Sequence, residues 1–186
     1  MVASSSAGTI ACFGGTTTVT VSATGGTAPY TGTGTFTVSA GTYSYTVTDA
    51  NGCSTTTSIT VTQPTAVVAS STQGDAILCN GGSSTVTVSA TGGTAPYTGT
   101  GSFTVTAGTY SYTVTDANGC SATTSGTVTQ PTALSASSSA GTIACHGGTT
   151  TVTVSATGGT APYTGTGTFT VSAGAYSYTV NVPVPV

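Results

Sequence analysis

The chain has 186 residues with no Lys or Arg, one His, three acids (Asp49, Asp75 and Asp116) and a net charge of −3. Such a balance offers no basic footprint for nucleic-acid phosphates and no polybasic patch for anionic lipid, so neither nucleic acid nor membrane insertion is expected. Enzymatic chemistry is left without a constellation of acid, base and nucleophile, and no enzyme, cofactor or metal is expected.

Forty-nine residues are Thr and 24 are Ser, so hydroxyls must do the solubilising that charges do elsewhere. Either O-linked glycan on Thr and Ser or neighbouring subunits are expected to cover so weakly charged a surface. Leu occurs only at positions 78 and 134, while Thr, Val and Tyr dominate. These residues suit a pleated surface and predict an all-β fold. The opening Met1-Val2-Ala3-Ser4 lacks the regions of a signal peptide, which for an exported protein implies a mature or trimmed chain.

In chain order, "TTTVTVSA" sets Val19, Val21 and Ala23 against Thr18, Thr20 and Ser22, the period of a strand with one buried face. "TFTVSA" aligns Phe36, Val38 and Ala40, "TYSYTVTD" aligns Tyr43, Tyr45 and Val47, and "SITVTQP" aligns Ile59 and Val61. Gly-rich stretches and Asn51-Gly52 supply the turns. Four or more short alternating strands in so few residues predict a small antiparallel β-sandwich, Ig-like in the loose sense.

The pattern then repeats. Cys12, Cys79 and Cys145 are spaced 67 and 66 residues apart, and Cys53 and Cys120 are also 67 apart. The expected domains are 1–66, 67–133 and 134–186, the last without its final strand because "NVPVPV" replaces "TDANGC" after Val180. "QPTAV" and "QPTAL" close the first two units with a stiff junction. Three end-to-end units would make a rod of about 90 Å.

A core of Val, Ala and a few aromatics is marginal in a domain of this size and calls for staples. Cys12 with Cys53, and Cys79 with Cys120, are 41 residues apart in each unit. Two disulfides within units are expected, each worth about 4 kcal/mol in the chain-entropy model, and they point outside the cytoplasm. Cys145 is left unpaired or intermolecular.

"DANGC" at 49–53 and 116–120 reads as a capped hairpin turn in preference to a calcium loop, since no bidentate acid follows at the required spacing. His146 occupies the slot of Phe13 and Asn80, a tolerance that argues against chemistry there. In "TGGTAPYTGTG", Tyr30, Tyr97 and Tyr163 read as caps over a domain end or as stacking platforms for a glycan.

The combination of C-N-G, T-V-T-V-S, G-G-T-A-P-Y, A-G-T-Y-S-Y-T-V-T-D-A-N-G-C and T-V-T-Q-P over 79–131 resembles the SprB-type repeat, a tandem module of cell-surface adhesins in gliding bacteria. The chain departs from that family in carrying Thr-Gly-Thr-Gly after Pro-Tyr. The resemblance implies an extracellular, bacterial cell-surface location and a role as spacer or adhesive filament. The incomplete third unit adds an expectation of self-assembly, with a strand from another copy, from "VASSSAGTI" or "NVPVPV", completing it. A glycan-binding module that uses the three Pro-Tyr loops is the alternative.

Overall fold

A computed structural model of the chain describes residues 1–183. It is all-β, with several small antiparallel sheets. The first repeat contributes β1 (Val2–Ala7), β2 (Thr17–Thr24), β3 (Gly34–Val38), β4 (Gly41–Thr48) and β5 (Ser54–Val61). The second gives β6 (Val68–Gln73), β7 (Ser83–Thr91), β8 (Gly101–Thr106), β9 (Gly108–Thr115) and β10 (Ser121–Val128). The third gives β11 (Ser135–Ala140), β12 (Thr150–Thr157) and β13 (Gly167–Val171). Sheets of order β1-β2-β3 and β4-β5 are repeated as β6-β7-β8 and β10-β9, and then as β11-β12-β13.

Alternation decides which face is buried. Along β2, Val19 and Val21 are 0% and 2% exposed while Thr18, Thr20 and Ser22 face solvent. Val47 on β4 and Val61 on β5 join them with Ile10 and Val38, so the two sheets of the first repeat share one apolar cluster. Phe36 and Tyr45 meet within it at 4.7 Å between ring centroids. The small core is built from the residues that the period of two selects, and each fully buried Val contributes about 1.5–2 kcal/mol.

The N-terminal segment Val2–Ala7 pairs along β2 of its own repeat, from Val2 opposite Thr24 to Ala7 opposite Val19. Of "NVPVPV", Val184, Pro185 and Val186 lie outside the described residues.

The third repeat behaves differently from its sequence twins. "AYSYTV" at 175–180 nearly repeats β4 and β9, yet no strand is assigned there. In the first repeat the ladder partner of β4 is β5, from Gly41 opposite Val61 to Thr48 opposite Ser54. The chain among the described residues supplies no such partner to 175–180. The consequence is loss of cover: Val180 is partly exposed where Val47 and Val114 are fully buried, and Tyr176 is 49% exposed.

By compactness the chain forms two units. One contains 1–70, 88–101 and 112–124, and the other 71–87, 102–111 and 125–186. The first holds the first repeat together with the turn end of the second.

Candidate functional site

The candidate site is the joint where consecutive repeats meet, and it is assembled from four pieces of sequence. The first is the turn Asp116–Cys120. One carboxylate oxygen of Asp116 accepts the backbone N–H groups of Asn118 and Cys120, both at 2.9 Å, and the other accepts that of Thr94 at 2.9 Å. Asp49 repeats this arrangement with Asn51, Cys53 and Thr27 at 3.0, 2.9 and 3.1 Å. The capped-turn reading of "DANGC" therefore holds, with the carboxylate oxygens engaged by backbone amides.

These amides also set the ionisation. The Thr27 N–H is the strongest influence on Asp49 and, with those of Cys53 and Asn51, holds its carboxyl below the usual value against the cost of burial. For Asp116 burial is the largest single influence and pushes upward, but the amides of Thr94, Cys120, Asn118 and Gly119 together outweigh it and leave the carboxyl lowered.

The second piece is the cysteine loop after β1. Gly15 N–H closes it on the Cys12 carbonyl at 3.0 Å, as Gly82 does on Cys79 and Gly148 on Cys145. The third is the glutamine that follows β5. Its side-chain oxygen accepts the Gly14 N–H at 2.8 Å, and Gln130 does the same for Gly81 at 2.7 Å. The loop is thus clamped to the end of its own repeat.

The fourth piece is the linker itself, which runs against the Gly-Gly turn of the next repeat. Gly93 N–H donates to the Thr65 carbonyl at 2.9 Å, and Gly159 to that of Thr132 at 2.7 Å. Gly92 sits at φ +73°, and a methyl group there would overlap the Ala66 carbonyl oxygen. Only glycine combines that conformation with so close a backbone approach.

Cys12 and Cys120 are joined by a disulfide, with Cα atoms 5.6 Å apart. The expected pairs Cys12–Cys53 and Cys79–Cys120 are therefore corrected: Cys53, Cys79 and Cys145 are free, exposed thiols. The reason is strand polarity. Cys12 lies at the end of the first repeat marked by Gln63, whereas Cys53 follows the turn at the opposite end of β4 and β5. Eight extended residues span about 25 Å, far beyond the reach of one disulfide. The amide of Asn118 adds a hydrogen bond to the Ala11 carbonyl at 3.3 Å across the same joint.

Cys79 occupies the equivalent loop of the second repeat. It lines a cavity with Leu78, Leu134, Val180, Asn181 and Val182, so the third repeat presents Val182 where the second presents Asp116. His146 and Cys145 border an open hollow with Ile143 and Ala173.

Tyr30, Tyr97 and Tyr163 take one pose. Each hydroxyl donates to the carbonyl of the first glycine of its own Gly-Gly turn, Tyr30 to Gly25 at 2.8 Å, Tyr163 to Gly158 at 2.7 Å, and Tyr97 to Gly92. All three rings are half-buried. Sequence reasoning missed the joint because its contacts cross between repeats. The signal was present in the recurrence of Gly-Gly, Gln-Pro and Cys at one period.

Among the described residues no group of His, Cys, Asp and Glu could hold a metal ion, and no helix is long and apolar enough to cross a membrane. The disulfide fits an oxidising environment. No protein-family model matches the chain, and no match was found among curated proteins.

Proposed function

We propose that the chain is a structural part of an extracellular bacterial surface filament or adhesin stalk, made of tandem Ig-like β-sandwich repeats arranged as a rod. The observation that carries this reading is the joint. A repeat whose loop is clamped by Gln63, covalently tied through Cys12 to Cys120 and docked through its linker on a Gly-Gly turn resists bending and pulling, which is the task of a stalk.

The outward faces support an O-glycosylated coat. Exposed threonines pair across strands, Thr42 with Thr60 at 3.1 Å, Thr46 with Thr56 at 3.3 Å and Thr113 with Thr123 at 3.1 Å, and so offer rows of hydroxyls on a weakly charged surface. The uncovered Val180 and Tyr176 support polymerisation by strand donation. A strand from another copy would take the place that β5 holds beside β4, and repetition of such a heterologous contact gives an open filament.

The half-buried rings of Tyr30, Tyr97 and Tyr163, fixed in one pose, favour a second reading as a glycan-binding module. A glycan array separates the two, because a spacer gives no saccharide-dependent signal.

Electron microscopy of native material under non-reducing conditions tests the first reading. Regular filaments with extra density on Thr and Ser are the expected result. Dispersed particles without such density overturn it.

A further inference from the structure

The joint has two halves, and the chain carries one unused example of each. The turn half consists of Asp116, Asn118 and Cys120 in the second repeat. Its twin in the first repeat is Asp49, Asn51 and Cys53, with the same three amide bonds to the carboxylate and the same amide contact, Asn51 Nδ2 to Thr27 Oγ1 at 2.9 Å against Asn118 Nδ2 to Thr94 Oγ1 at 3.0 Å. Cys53 in that preformed turn is free and exposed.

The loop half is Ala11 and Cys12, and it recurs as Ala144 and Cys145. Gly148 closes the latter on the Cys145 carbonyl at 3.0 Å, the distance at which Gly15 closes on Cys12. Cys145 is free, exposed and open to the hollow beside it. Cys79 has the same loop, but residues Val180, Asn181 and Val182 of the third repeat already border it. Among the described residues, an incoming turn therefore meets no competing chain only at Cys145.

We propose that Cys145 of one copy and Cys53 of a second copy form a covalent joint of the Cys12–Cys120 kind, so that copies of the chain link head to tail. In it the Asn51 amide donates to the Ala144 carbonyl, as Asn118 does to Ala11. The bond forms by oxidation: the two thiols give up two protons and two electrons to a low-molecular-weight disulfide, which leaves as two thiols. A second copy is the fitting occupant because the surface that matches Cys145 is the one this chain itself presents around Cys53. The proposal deepens the head-to-tail assembly of the structural reading, while being independent of glycosylation and of strand donation.

The test is incubation of the reduced and refolded chain with oxidised glutathione, followed by non-reducing electrophoresis and mass-spectrometric mapping of the cross-links. The expected result is a ladder of covalent oligomers, cleared by reductant, in which the intermolecular peptide joins Cys53 to Cys145. Cys53→Ser and Cys145→Ser should each lose the ladder and keep Cys12–Cys120, while Asn51→Ala should slow its growth. A monomer that retains titratable thiols at both positions overturns the proposal. So does a cross-link of Cys145 to Cys145, or of Cys53 to Cys145 within one copy. A ladder that forms while native material shows no filaments would leave the joint standing and remove only the filament reading.

Discussion

Cys12 and Cys120 are 108 residues apart in the chain and share one disulfide, which ties the loop at one end of the first repeat to the turn at the start of the second repeat's β10. The bond is a tie between repeats rather than a staple within one. Everything else at the joint converges on the same contact, from the Gln63 clamp to the Asn118 amide.

A bond that closes so long a loop removes much entropy from the unfolded chain. Cys12→Ser or Cys120→Ser should cost roughly 4–5 kcal/mol in the chain-entropy model. Urea denaturation with and without reductant measures this, and the reduced native chain should match either variant.

The Gly-Gly turn yields a contrast between two glycines. Gly92 has φ +73° and backbone in the way of a methyl group, whereas Gly52 has φ +81° and nothing within 4 Å of an added Cβ. Gly52→Ala should cost about 1 kcal/mol for the left-handed conformation alone. Gly92→Ala should cost about 2–3 kcal/mol, because the linker must also shift. Equal losses in thermal denaturation would contradict the docking role given to Gly92.

How much of this was legible follows from the range of each signal. The alternation of Val19 and Val21 with Thr and Ser is local and marks both the strand and its buried face. Asp49 and its turn are equally local. β1 was not legible as a strand of its own repeat because Val2–Ala7 is mostly Ser and Ala, and its order comes from the ladder with β2. The cysteine pairing was not legible either, since equal spacing says nothing about which end of a sheet each cysteine occupies. Residues 175–180 show the converse: a strand-like pattern, repeated almost letter for letter, is not assigned as a strand where the partner that β5 supplies in the first repeat is lacking.

The aspartate turns give the stability a defined acid limb. Both Asp49 and Asp116 are lowered in the folded state, so the unfolded chain takes up protons first as pH falls. Their contribution is fully present above the ordinary carboxylate pKa of about 3.9 and is lost as pH drops through the lower folded values. Denaturation midpoints should be flat with respect to these groups above about pH 5 and fall below about pH 4. Asp49→Asn with Asp116→Asn should flatten that limb, because the amide does not titrate there, and should lower stability at neutral pH, because its NH2 places a donor where a backbone N–H needs an acceptor.

Tyr45 carries a buried hydroxyl with no hydrogen-bond partner among the described residues. Its ring stacks against Phe36 and Tyr43, so the aromatic packing survives loss of the oxygen. Tyr45→Phe should raise stability by about 1 kcal/mol, as removal of an unsatisfied buried group does. A loss of stability would show that the hydroxyl contributes.

The most direct test of the joint is disulfide mapping of the oxidised, unreduced chain by peptide mass spectrometry. A peptide joining Cys12 to Cys120, with Cys79 alkylatable, is the expected result. Peptides joining Cys12 to Cys53 and Cys79 to Cys120 would contradict it, and would return the cysteines to staples within single repeats.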